Sequence, residues 1–176
     1  VDNARLFARE RATGDQLAFL AEMSSLLASS LDYETTLANV AQLIVPQFAD
    51  WCAVDVVGED GSIARIAVVH KDAAKEEWAR RSRELHPPDP DEPEGAARVV
   101  RTGEPVLYRR ITDEYLQRTS RGPENLEVLR ALGMASAMVV PMKARGRTLG
   151  ALMLVSSDPE RLYDDDALTF AEHLGR

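Results

Sequence analysis

Cysteine is almost missing from this chain. Cys52 stands alone, which excludes an intrachain disulfide and any Cys-x-x-Cys pair for zinc or redox exchange. A solitary thiol fits a reducing compartment, and we expect a cytoplasmic protein. Long apolar runs are missing too. The best, Ala135 to Met142 and Leu149 to Val155, have strand length and cannot cross a bilayer as helices. No charged stretch leads into an apolar one as a secretion signal would. Positive charge is scarce: 21 Lys and Arg against 29 Asp and Glu leave a net charge of −8. That balance excludes a duplex nucleic-acid reader, whose affinity comes from neutralising phosphates, and disfavours anionic membranes.

Recognisable chemistry is equally sparse. Neither Gly-x-Gly-x-x-Gly nor Gly-x-x-x-x-Gly-Lys occurs to cradle a phosphate, and no two histidines have His-x-x-x-His spacing. Ser24-Ser25 and Ser29-Ser30 fall in a helical pattern rather than on the strained turn that exposes a nucleophilic serine. Asp55, Glu59 and Asp60 cluster near a predicted hairpin, where such residues ordinarily serve solvation. We therefore expect no catalytic residue, no metal ligand set and no cofactor.

What is present is enough for one globular domain. The 176 residues are 45% hydrophobic and 28% charged, ordinary values for a chain that needs no staple. An amphipathic stripe at Leu17, Leu20, Met23, Leu26, Leu27 and Leu31 predicts a first helix. Taken as continuous from residue 1, that helix would span roughly 46 Å, more than one small core can cover. Asp32 is suited to cap a second helix that ends before Pro46. Trp51 to Val57 and Ile63 to Val69 read as strands joined by Gly58-Glu59-Asp60-Gly61. A third helix covers Ala73 to Leu85. Four prolines between Pro87 and Gly95 then preclude regular structure. Ala96 to Arg101 is a short helix stopped by Gly103, and Pro105 to Tyr108 a brief edge strand. Thr112 and Pro123 open two further helices. Ala137 to Met142 and Thr148 to Val155 form a hairpin, and Asp164-Asp165-Asp166 precedes a last helix. Strands clustered in hairpins, rather than alternating with helices, predict an α+β domain around an antiparallel sheet.

Several strings carry a resemblance. Leu31-Asp32-Tyr33-Glu34-Thr35-Thr36-Leu37, Ala49-Asp50-Trp51-Cys52-Ala53-Val54, Val99-Val100-Arg101-Thr102-Gly103-Glu104-Pro105, Ser136 to Met142, Arg147 to Leu152 and Tyr163 to Leu168 together resemble the GAF domain of bacterial multidomain sensors. Outputs in such proteins are often serine/threonine phosphatases or histidine kinases. The resemblance runs from about Leu17 to Leu174. It implies a GAF-like antiparallel sheet flanked by helices, with residues 17–176 as the sensor domain and 1–16 as a signalling helix from a preceding module. Val1 in place of Met, and an end inside a helical pattern, fit a piece of a longer protein.

The same resemblance implies a regulatory, non-enzymatic role. Bilin-bearing members attach the pigment through cysteine as Cys-His or Asp-x-Cys-Phe, whereas Ala53 follows Cys52 here. Members that reduce free methionine sulfoxide need paired cysteines, and the Asn-Lys-x-Phe-Asp-Glu string of cyclic-nucleotide binders is not found. A noncovalent ligand would sit between one sheet face and the segments spanning residues 72 to 135, under the proline loop. Candidate contacts are Trp78, Arg98, Tyr108, Met138, Val140 and Met153. Met138, Val140 and Met153 read first as plain core, since methionines fill irregular interiors, Trp78 also as a helix anchor, and Arg98 as a partner of the acidic loop. His70, at a strand end, is a pocket or haem candidate or simply a polar strand terminus. His86 reads as a loop residue and His173 as a surface or interface one. The N-terminal helix and the last helix, with Leu168, Phe170, Ala171 and Leu174, fit a homodimer packed as a parallel bundle, or else only cover the sheet. The alternative function is a ligand-free dimerisation and relay domain attached to an output domain.

Overall fold

A computed structural model describes residues 9–18 and 33–176 apart from His86 and Pro87. Residues 9–18 are helical (α1); most of the long N-terminal helix expected from the sequence lies outside the described residues. The elements that follow are α2 (Tyr33–Ile44), β1 (Trp51–Val57), β2 (Ile63–His70), α3 (Ala73–Leu85), α4 (Gly95–Thr102), β3 (Val106–Tyr108), α5 (Asp113–Thr119), α6 (Pro123–Leu132), β4 (Ser136–Ala144), β5 (Arg147–Ser156) and α7 (Asp165–Leu174). The strands form one sheet in the order β2-β1-β5-β4-β3, every neighbouring pair antiparallel.

Local chemistry sets the helix limits. The Thr112 hydroxyl accepts the Tyr115 amide at 3.2 Å and opens α5, and the Asp164 carboxylate accepts the Ala167 amide at 2.8 Å and opens α7. Each satisfies one of the amides that a helix start leaves unpaired, worth about 1 kcal/mol. Pro123 takes the first turn of α6, where its missing N–H costs nothing. Gly103 and Gly133 adopt φ of 67° and 65° to close α4 and α6, a left-handed turn that glycine makes without a Cβ penalty.

The central strands are buried on both faces, so each serves two layers. Val40, Ala41 and Ile44 of α2, with Phe170 and Ala171 of α7, pack on Cys52, Val54, Met138, Val140, Leu152 and Leu154. The Phe48 and Phe170 rings meet at 4.8 Å, and the Tyr163 hydroxyl donates to the Phe48 carbonyl at 2.8 Å. Phe170 and Ala171 are thus spent on the chain's own core. Alternate residues point the other way. Trp51, Ala53, Ala137, Val139, Ala151 and Val155 meet side chains from α3, α4 and the segments around α5 and α6.

One irregularity changes what the second face presents. Val54 pairs with Ala67 but Asp55 pairs with Arg65, which leaves Ile66 as an extra residue, a β-bulge. Arg65 and Val68, three apart, therefore share the face that alternation would have divided between them.

Beyond the sheet ends, Asp50 ties three segments together. Its buried carboxylate accepts from Lys71 Nζ at 2.9 Å, from Arg161 at 2.9 Å and from the Ser157 amide at 2.6 Å. Burial alone would raise its pKa; the Lys71 and Ser157 hydrogen bonds and the charges of Arg161 and Lys71 more than offset that and hold it below the ordinary value.

Candidate functional site

The second face of the sheet is not completely covered. A cavity of about 500 Å3 lies between it and the segments around residues 88 to 134, within the ~300–1,000 Å3 usual for small-molecule sites. Its floor is Trp51, Asp55, Ile63, Arg65, Val68, Ala137 and Met153. Ala96, Tyr115, Leu116, Val128 and Leu132 stand at its sides, and Pro88, Asp89, Glu92, Pro93 and Glu94 roof it.

The roof is the proline-rich segment, and it is strapped from several directions. Arg101 donates to the Pro90 carbonyl at 2.8 Å, and Arg121 Nε meets Glu92 at 2.6 Å. The Tyr108 hydroxyl donates to Glu94 at 2.8 Å and accepts the Gly95 amide at 2.9 Å. Burial, which disfavours the phenolate, pushes the Tyr108 hydroxyl well above its usual pKa, so it works here as a neutral donor and acceptor.

Asp55 lies at the floor, fully buried. Arg65 holds it with both edges of the guanidinium, Nε to Oδ1 at 2.7 Å and a terminal nitrogen to Oδ2 at 2.9 Å. The Arg65 side chain keeps 24% of its surface. Its own desolvation works against the cation, but the Asp55 charge and hydrogen bond win and raise its pKa. This corrects the solvation role expected of Asp55. Central strand β1 carries it to the inner face with Trp51 and Ala53, where only a paired charge is tolerable. The sequence signal was available, since Asp55 sits at an even spacing from Trp51. Arg65 was not legible, because the bulge that re-aims it leaves no mark in the hydrophobic pattern.

Trp51 supplies a second feature missed in the sequence. It is buried and lines the cavity, and its indole Nε1–H has no hydrogen-bond partner. His70 stands directly across from it in β2. Its Nδ1 accepts the Asp72 amide at 2.9 Å, which places the proton of the neutral ring on Nε2, and that buried nitrogen is also unpartnered. Desolvation, with help from Lys75, lowers the His70 pKa and keeps the ring neutral. His70 does not line the cavity. His173 is exposed and its Nδ1 lies 2.8 Å from the Thr169 carbonyl, while His86 lies outside the described residues. No cluster of three metal-ligating side chains occurs among the described residues.

Of the six residues expected to contact a ligand, Tyr108 and Met153 line the cavity. Trp78 packs in the same hydrophobic cluster beneath α3 without reaching the cavity wall. Arg98 is exposed and lies 3.5 Å from Glu94 of the roof. Met138 and Val140 belong to the α2 and α7 core on the opposite face. Their neighbours Ala137 and Val139 point the other way, Ala137 into the cavity wall. Cys52 shares the Met138 side of the sheet, and burial pushes its thiol far above the range in which a thiolate forms.

An antiparallel sheet with two helices on one face and a roofed cavity on the other defines an α+β cavity-bearing domain. The GAF domain family model matches residues 32–176, and the chain belongs to that family. GAF domains are generally regulatory parts of signalling proteins. The GAF domain of a phosphoenolpyruvate-protein phosphotransferase from Coxiella burnetii is similar, with a TM-score of 0.65 and 16% identity over 91% of this chain and 88% of that one. A domain of a putative two-component sensor histidine kinase from Sinorhizobium meliloti gives 0.55 and 18% over 84% and 88%. A free methionine-R-sulfoxide reductase from Neisseria meningitidis, solved with its substrate, gives 0.61 and 17% over 91% and 83%. At these identities the likeness is one of fold. No curated protein matches the chain significantly.

Proposed function

We propose that this chain is a non-enzymatic sensor domain that holds a small ligand noncovalently in the cavity and relays its presence through flanking helices to an output domain. The cavity carries this reading. It is large enough for a metabolite, roofed by a segment held mainly through side-chain contacts, and bordered by a buried donor with no partner. A ligand-free relay would have no use for such a space.

Strand β4 supplies a route for the signal. Ala137 faces the cavity side while Met138 and Val140 touch the core shared with α2 and α7, so a ligand that shifts β4 also shifts the seat of α7. A coupling of about 1–3 kcal/mol between site and helices would suffice. Residues 1–16 act as an incoming signalling helix ahead of a sensor domain at 17–176. Two copies pair through their N- and C-terminal helices in the cytoplasm. Among the described residues no helix is long and apolar enough to cross a membrane. The non-enzymatic reading draws support from the cavity wall, where Asp55 and Arg65 neutralise each other and Cys52 lies on the other side of the sheet.

Native mass spectrometry of the freshly purified protein tests both halves. We expect a dimer carrying a bound small molecule, whose removal lowers the melting temperature. An empty protein that no compound stabilises in a broad metabolite screen would remove the sensing role. A strict monomer with residues 1 to 16 intact would remove the pairing.

A further inference from the structure

The charges on the cavity wall point in one direction when counted and in another when followed to their partners. By count the lining is acidic: Asp55, Asp89, Glu92 and Glu94 against Arg65, Arg118 and Arg121. Counting alone would suggest a cationic ligand.

Three of these acids, however, are matched by arginines. Asp55 is gripped on both oxygens by Arg65, and Glu92 is paired with Arg121. Glu94 accepts from Tyr108 and lies against Arg98, while Asp89 turns back on the Asp91 amide at 2.9 Å. What is left over is a set of donors. The Trp51 indole N–H is buried at the floor without an acceptor. Leaving it so carries a desolvation penalty that an incoming oxygen would relieve. Arg118 has no carboxylate within ion-pair distance among the described residues; its guanidinium rests over the Tyr115 ring, 5.4 Å from the centroid. Asn125 accepts the Arg121 amide through its side-chain oxygen at 3.0 Å, so its NH2 is the part with capacity to spare. Between these donors the wall is apolar, formed by Val68, Leu132, Met134 and Met153.

We propose that the cavity takes an apolar organic acid, with the carboxylate on Arg118 and a hydrogen-bond acceptor received by the Trp51 indole N–H. The proposal rests on the reading of this cavity as the ligand site. A flat or branched hydrocarbon body would fill the space beside Met153, and the two polar ends would each complete a group that the protein leaves incomplete. Guanidinium and indole N–H donate and do not accept, so an ammonium head finds no acceptor at either of these two groups.

The test uses three probes with the same body, an acetyl acceptor at one end and different heads at the other: 3-(4-acetylphenyl)propionate, 3-(4-acetylphenyl)propionamide and 3-(4-acetylphenyl)propylamine. Each is titrated into the 15N-labelled chain while the two indole N–H signals are followed, Trp51 being identified with Trp78→Phe. We expect the carboxylate probe to move the Trp51 indole signal downfield through its acetyl oxygen and to bind at least ten-fold more tightly than the amine. Arg118→Gln, a surface change that leaves folding intact, should bring the carboxylate down to the affinity of the amide and leave the amide unchanged. If the amine binds as well as the carboxylate, or if Arg118→Gln has no effect on the carboxylate, the anion assignment fails while the cavity remains a ligand site. If none of the probes perturbs any cavity-lining residue, the organic-acid proposal fails, while the ligand-site reading stands or falls by native mass spectrometry and the metabolite screen.

Discussion

Gly175 lies directly against Pro141. A Cβ placed on Gly175 would fall inside contact distance of the Pro141 carbonyl oxygen, and the Gly175 carbonyl accepts the Lys143 amide at 2.8 Å. The last turn of α7 is thereby seated on β4, whose neighbouring residues reach the cavity from the other side.

Gly175→Ala should lift that turn from the strand. Backbone is what the new methyl would strike, so the contact cannot be relieved by rotating a side chain. We expect a loss of about 1–3 kcal/mol by urea denaturation, in line with other overpacked sites. Faster exchange of the Lys143 amide should accompany it. An unchanged Lys143 amide would show that α7 is not anchored there.

Arg65→Met leaves the Asp55 carboxylate buried without its partner. Breaking a buried pair from one side costs about 3–5 kcal/mol. Removing both charges, with Asp55→Leu added, should recover a large part of that, because an apolar pair of similar volume carries no desolvation cost. Chemical denaturation of the two variants distinguishes the cases; a double variant as unstable as the single one would contradict the ion-pair account.

Asp50 sets part of the acid limit. Its folded pKa lies below the ordinary 3.8, so its contribution to stability is complete above the unfolded value. It drains away as pH falls from there through the folded value. Asp50→Asn should therefore lower stability at neutral pH and flatten the acid limb of the stability profile below about pH 4. Equal acid slopes for the two proteins would place the loss elsewhere.

Cys52 should not react in the native state. The thiol is fully buried and burial suppresses its ionisation, so alkylation by iodoacetamide requires opening of the core. Labelling should accelerate with urea in step with unfolding measured by tryptophan fluorescence. Rapid labelling without denaturant would mean a path into the core between β1 and helices α2 and α7.

Much of the architecture was written locally. Thr112, Pro123, Gly103 and Gly133 announce helix limits through the needs of their own backbone, and those limits stand in the structure; α7 begins at Asp165, inside the acidic triplet expected to precede it. The site was less legible. Residues Ser136 to Met142 are all buried, so β4 shows no alternation of polar and apolar residues to say which side faces which layer. Met138 and Val140, readable as ligand contacts or as plain core, lie in the other core; Ala137, too small to attract notice, is on the cavity wall. Tyr108 was legible because it sits on a short edge strand beside the proline segment. Arg118 and Trp51 matter for what they fail to meet, a property no one-dimensional pattern contains.

The bulge at Ile66 gives the chain an uneven tolerance to mutation. A substitution at that position alters one side chain. A deletion there would close the bulge with Arg65 still opposite Asp55 and Val68 still opposite Ala53, whereas one more residue inserted between Arg65 and Val68 would have to bulge again or carry one of them off that face. The Asp55–Arg65 pair thus depends on how many residues the strand contains, as well as on which ones they are.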